Sequence, residues 1–178
     1  MNLLFRLLWT RVVSRFRSPC GPLGPVRTPF RVMPTDLDVL RHVNNGAYFS
    51  LLDLARADLL IRSGLLPRLL ERGWFAVVSA ESIRFRRSLR LFDRFVVETS
   101  VVGWDHRAVY IHHRFLRGDE SVAVAFVAAR FLRREGGDVA PAEILALTDA
   151  AEASDLPDPT ALPEWARALA EAQGGMPA

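Results

Sequence analysis

A chain of 178 residues, half of them apolar, is long enough to bury the core of one domain and too apolar for general disorder. Its single cysteine, Cys20, excludes an internal disulfide framework and a cysteine-based zinc site, which makes a reducing, cytoplasmic setting the simplest one. The formal charge of +3 is too small to point to nucleic acid, although all 23 basic residues are arginine, whose planar fork suits a phosphorylated small molecule such as coenzyme A.

Residues 1–17 alternate Leu3, Leu4, Phe5, Leu7, Leu8, Trp9, Val12, Val13 and Phe16 with Arg6, Arg11, Arg15 and Arg17. A membrane-spanning helix needs about 20 mainly apolar residues, and the arginines interrupt this stretch too often. An amphipathic helix remains, suited either to packing on the domain or a partner, which is the favoured reading, or to peripheral membrane contact. Residues 18–28, with three prolines and two glycines, read as a linker. A short strand is expected over Pro29–Met33. From Gly46 to Ser63 the apolar residues follow helical spacing but cover most of the cylinder, as in a helix buried on more than one side. Asp58 and Arg62 can pair on its polar stripe, and Gly64 is a plausible stop. Leu65 to Gly73 is turn-rich or helical. Four strands follow, at Phe75–Arg87, Phe95–Trp104, Ala108–Leu116 and Ser121–Leu132, with Arg117-Gly118-Asp119-Glu120 as a hairpin turn. A C-terminal extension, residues 135–178, carries a short helix at Pro163–Ala172. One helix followed by four antiparallel strands predicts an α+β domain over residues 29–134, with the sheet curled around the helix.

The densest chemistry lies in Asp36-Leu37-Asp38-Val39-Leu40-Arg41-His42-Val43-Asn44-Asn45-Gly46-Ala47-Tyr48. Asn44 or Asn45 can cap the buried helix, whose free N–H groups and dipole favour developing negative charge. A carboxylate, an imidazole and a positive helix end together suit the hydrolysis of an activated acyl group.

The run Asp-x-Asp-x-x-x-His-x-Asn-Asn-x-x-Tyr, placed between a strand and a buried helix and followed by a strand meander, resembles the hotdog-fold acyl thioesterases. The segments Phe85–Asp93 and Val101–His106 are similar to a narrower group of bacterial acyl-CoA thioesterase homologues and thioesterase superfamily member 6. The resemblance implies a curled antiparallel sheet around a central helix and an Asp-dependent acyl-CoA or acyl-carrier-protein thioesterase with no cofactor. It also implies a homodimer, or a dimer of dimers, with its substrate tunnel between subunits. Asp38 matches the catalytic carboxylate of the 4-hydroxybenzoyl-CoA branch. Asn45 matches the residue whose backbone N–H polarises the thioester carbonyl. His42 matches the histidine of the acyl-ACP branch, where Leu40 replaces an expected asparagine. Asp93 matches a turn-shaping aspartate.

Each assignment has a plainer counterpart. Asp38 can brace the turn, as nucleophile or general base it can do chemistry, and His42 can orient it or simply bond a carbonyl. Asn44 and Tyr48 suit substrate contact but also serve as cap and core. Arg84, Arg86 and Arg87 can meet coenzyme A phosphates or lie on an exposed strand edge. His106, His112 and His113 lack the company of a metal site, so no metal is expected. Two rival functions remain: a non-catalytic acyl-thioester-binding or membrane-associated protein, and a hydratase or dehydratase of the same fold. Hydratase spacing sets Asp and His further apart and beside an Asn-Pro, unlike this chain.

Overall fold

The structure, a computed structural model, describes residues 3–148 and, beyond them, 164, 165, 167, 168 and 171. In chain order these form α1 (Leu3–Ser14), β1 (Val26–Arg31), a 3-10 turn (Pro34–Asp36), α2 (Asn45–Arg62) and α3 (Leu65–Glu71). Then come β2 (Trp74–Phe85), β3 (Arg94–Trp104), β4 (Val109–Arg117), β5 (Glu120–Arg133), β6 (Asp138–Val139) and α4 (Pro141–Leu145). The expected helix and all four strands are present within a residue or two of their anticipated ends. β1 begins at Val26 rather than Pro29, so the segment read as linker stops at Pro25. Of the helix expected at Pro163–Ala172, the described residues are helical, and the others lie outside the described residues.

α2 starts where Asn44 Oδ1 accepts from the Gly46 N–H at 2.8 Å, the arrangement that satisfies an orphan donor at a helix start. It stops at Gly64, which takes the left-handed φ of 70° that other residues resist. The sheet is antiparallel, in the order β1-β3-β4-β5-β2, with β6 extending it beside β5. Register shifts at Val78/Ala80, Val101/Gly103 and Phe115/Leu116 add local bend, which lets the sheet wrap α2.

Tyr48, Leu51, Leu52 and Ala55 of α2 share the main core with alternate β5 residues, Ala123, Ala125, Val127 and Ala129. These alternate with period two, as one face of a strand requires, while α2 itself runs nearest β3 and β1. On the outer face of the sheet, Trp165 stacks on Phe126 with centroids 4.0 Å apart and meets Tyr110 edge-on.

α1 packs on α2 through polar groups. Asp58, fully buried, accepts from Ser14 Oγ at 2.5 Å, Thr28 Oγ1 at 2.6 Å and Arg17 Nη1 at 3.0 Å, with Arg62 Nη1 at 3.6 Å. The Asp58–Arg62 pair therefore exists, but inside the protein, beneath α1, rather than on a solvent-facing stripe. Arg6 adds an ion pair to the buried Asp36 at 2.6 Å. No helix among the described residues is long and apolar enough to cross a membrane.

Candidate active site

The loop from Leu37 to Asn44 folds back on itself in front of α2. Asp38 N–H donates to the His42 carbonyl at 2.8 Å, Leu37 bridges Val43, and Arg41 adopts φ of 60° to close the turn. Left-handed backbone at a non-glycine residue is costly and persists only where its surroundings impose it. The surroundings here are the segment after β2. The Val43 N–H donates to the Leu89 carbonyl at 3.1 Å and His42 bridges Arg90. Arg90 is itself held by Asp93, whose Oδ2 accepts from the Arg90 N–H at 2.9 Å and from Arg117 at 3.1 Å. Asp93 thus has the turn-shaping place expected of it, and through Arg90 it supports the loop that carries His42.

Asp38 is half-buried. Its Oδ1 accepts from the Leu40 N–H at 2.8 Å and the His42 N–H at 3.2 Å, which fixes the carboxylate plane. Among the described residues Oδ2 receives no donor. Asp38 is therefore the loop brace of the plainer reading, and it also keeps one oxygen open. That oxygen belongs to a residue lining a pocket of about 320 Å³, together with His42, Val43, Asn45, Tyr48, Phe85, Arg86, Arg87 and Ser88. Asn45 is the first residue of α2, so its backbone N–H has no intrahelical acceptor.

Six of the eight sequence-predicted site residues thus share one cavity: Asp38, His42, Asn45, Tyr48, Arg86 and Arg87. Asn44 does not join them. Its amide oxygen is committed to the cap, and it lines a separate recess with Arg6 and Asp36. Arg84 is exposed on β2 and lies outside the group, because its neighbour Phe85 turns toward Tyr48 (centroids 4.9 Å apart) and adjacent strand residues face opposite ways. Leu40 is exposed and contributes only its N–H to Asp38. Tyr48 is buried between Phe85 and Phe115, and burial pushes its hydroxyl pKa up, against a smaller lowering by a bond to the Leu89 backbone. It stays protonated and forms the pocket floor. Val43, Phe85 and Ser88 also line the pocket. No sequence signal marks Ser88, whereas the inward parity of Phe85 on its strand is a signal that alternation supplies.

A second, apolar cavity of about 300 Å³ lies at the other end of α2. Leu60, Val77, Trp104, Phe131 and Ile144 wall it, with Asp53 and Arg56 also in its lining. No group of metal-ligating residues occurs among the described residues.

The model of the thioesterase-like superfamily matches residues 32–169, which takes in this loop, α2 and every strand of the sheet except β1. The chain belongs to that family. Protein THEM6 of Xenopus laevis is 37% identical over 99 residues, covering 56% of this chain and 48% of the relative. Protein THEM6 of Danio rerio is 34% identical over 131 residues, covering 73% and 63%. The chain thus spans between about half and two thirds of the length of these relatives. A probable thioesterase, YbaW of Escherichia coli, superposes with a TM-score of 0.62 at 23% identity over 67% of this chain and 95% of its own. A 4-hydroxybenzoyl-CoA thioesterase complexed with 4-hydroxybenzoyl-CoA superposes with a TM-score of 0.63 at 19% identity, over 70% and 98%. At these identities the likeness is one of fold, and the fold is the expected hotdog.

Proposed function

We propose that this protein hydrolyses acyl-CoA thioesters to a free acid and a thiol, with Asp38 as general base. The observation that carries the reading is the shared pocket: an oriented carboxylate with one open oxygen, an imidazole, the N-terminus of a buried helix and two arginines. Asp38 Oδ2 takes a proton from water as its oxygen attacks the thioester carbonyl. The Asn45 N–H and the dipole of α2 stabilise the oxyanion that forms. Collapse of the tetrahedral intermediate breaks the C–S bond and expels the coenzyme A thiolate, which takes the proton held on Asp38, directly or through His42, so that both side chains return to their starting state. Two N–H donors on Oδ1 fix the carboxylate plane and leave Oδ2 to the reaction, and the general-base route is preferred because it forms no acyl-enzyme anhydride. Arg86 and Arg87 are suited to coenzyme A phosphates.

The reading includes a homodimer. Among the described residues β2 is bonded only to β5, on one side, and its other edge exposes Phe75, Val78 and Phe85 over twelve residues without a proline. The opposite edge, β1, has six residues and carries Pro29, Arg27 and Arg31, features that discourage pairing. Isologous antiparallel pairing of two β2 strands about Ser79–Ala80 sets the Phe85 end of one beside the Trp74 end of the other. The Asp38 pocket of one protomer then adjoins the apolar cavity of its partner, which supports a site shared by both chains. A cavity of about 150 Å³ accepts benzene, so one of twice that volume accommodates an acyl chain of roughly twelve carbons.

The test is thiol release from acyl-CoAs of graded chain length. Asp38→Asn is expected to lower kcat by roughly 100-fold or more, the usual cost of losing an acid–base group. Binding of acyl-CoA without turnover by the unaltered protein would replace this reading with the non-catalytic one.

A further inference from the structure

α1 is docked the wrong way round for an ordinary surface helix. Its buried positions are polar: Arg6 on Asp36, Thr10, and Ser14 on Asp58. Its apolar positions face outward, with Phe5 55%, Leu8 53%, Trp9 61%, Val12 53% and Phe16 86% exposed. These five fall at i, i+3, i+4, i+7 and i+11 and occupy one arc of the helix and its final turn, which the Phe16 N–H to Val13 carbonyl bond continues. Arg11 and Arg15, both exposed, border that arc on one side. The first 35 residues hold six arginines and no carboxylate.

We propose that this face of α1 docks on an anionic lipid surface. An apolar stripe with two large aromatics is what inserts at the boundary between headgroups and acyl chains, and arginines at its margin reach the phosphates while their stems lie along the stripe. Charge decides between a bilayer and a second copy of this face. Two copies would set Arg11 and Arg15 against one another's arginines with no acid on the helix to offset them, whereas an anionic surface complements them. The polar contacts of α1 with Asp36 and Asp58 hold the helix in place, so docking requires no unfolding of the domain. The inference is independent of the proposed chemistry at Asp38.

Co-sedimentation of the full chain with phosphatidylcholine vesicles, and with phosphatidylcholine containing about 30% phosphatidylglycerol, tests it. The protein is expected to bind the anionic vesicles. The exposed triple variant Leu8→Ser/Trp9→Ser/Phe16→Ser is expected to lose at least about 10-fold of that affinity with an unchanged unfolding temperature and unchanged hydrolysis of soluble acyl-CoA. Arg11→Gln/Arg15→Gln is expected to lose roughly 30-fold on anionic vesicles, at about five-fold per arginine, and little on neutral ones. No binding to anionic vesicles, or binding that the triple variant retains, overturns the proposal. An oligomer that the triple variant dissolves, with no vesicle binding by either protein, overturns it in favour of contact between copies.

Discussion

Replacing Asp58 by alanine tests how the N-terminal helix is held. The carboxylate is fully buried and receives four groups, two hydroxyls at 2.5 and 2.6 Å and two guanidinium groups at 3.0 and 3.6 Å. Its removal leaves Thr28 without its acceptor and Arg17 and Arg62 without their counter-charge, while the Ser14 hydroxyl keeps the Thr10 carbonyl at 2.6 Å. Breaking a buried ion pair on one side costs about 3–5 kcal/mol, because the remaining partners stay desolvated. Arg17 and Arg62 keep some solvent access, with side chains 24% and 14% exposed, which places the expected loss near the lower end, about 3 kcal/mol. For a chain of this size that is a fall in Tm of roughly 6–12 °C. Urea unfolding measures the loss. Limited trypsin digestion reads its location, since cleavage after Arg11, Arg15 or Arg17 should accelerate first. Asp53→Ala is the contrast: Asp53 is 60% exposed and meets Arg56 in an i,i+3 pair, so less than about 1 kcal/mol is expected. A loss below about 1 kcal/mol for Asp58→Ala would refute the idea that this carboxylate fastens α1.

Three further outcomes follow from the site and the core. Asn45→Pro removes the backbone N–H at the first position of α2, where proline is tolerated. It should lower kcat by about 100-fold or more with little change in Tm, while Asn45→Ala should leave kcat nearly intact. Equal effects of the two would remove the Asn45 N–H from the chemistry. His113 is fully buried against Thr99, with Nδ1 3.0 Å from the hydroxyl, and burial, with smaller contributions from Arg56 and His112, holds its pKa well below 6.5. The unfolded chain therefore takes up this proton first as pH falls. The ring adds no pH dependence well above 6.5, and below it stability should drop by about 1 kcal/mol between pH 6 and pH 5. Urea unfolding at both pH values should show that drop in the native protein beyond whatever His113→Gln shows, and equal slopes would contradict a neutral buried ring. Ala57→Phe places a phenyl ring in the apolar cavity, and kcat/KM should fall at least about 10-fold for dodecanoyl-CoA relative to butyryl-CoA. An unchanged chain-length profile would exclude that cavity as the acyl site.

Features that rest on neighbours in sequence were legible in the chain. The cap at Asn44, the stop at Gly64, the turn at Gly118-Asp119 and the alternation of the strands are each fixed within a few residues, because backbone conformation and face are set locally. The order of helix and meander, with the Asp38-to-Tyr48 run between strand and helix, was enough to expect the hotdog. Grouping Asp38, His42, Asn45 and Tyr48 was also legible, since a short loop entering one helix brings them near one another whatever the rest does. Arg86 and Arg87 join them only because β2 runs back past the start of α2, and strand parity takes Arg84 away. β6 and α4 were not anticipated. They are too short to carry a periodic signal and are held by Phe131, Leu65 and Leu69 from elsewhere in the chain.

The orientation of α1 belongs entirely to the tertiary structure. Its sequence states that the helix has an apolar and a polar face, and by that pattern the apolar face should go inward. What reverses it is two buried carboxylates 30 and 44 residues further along, Asp36 and Asp58, which draw Arg6 and Ser14 on the polar side of α1 inward beside their other donors. An unpaired buried charge costs more than an exposed apolar stripe, so the helix turns its arginine and hydroxyls in and its aromatics out.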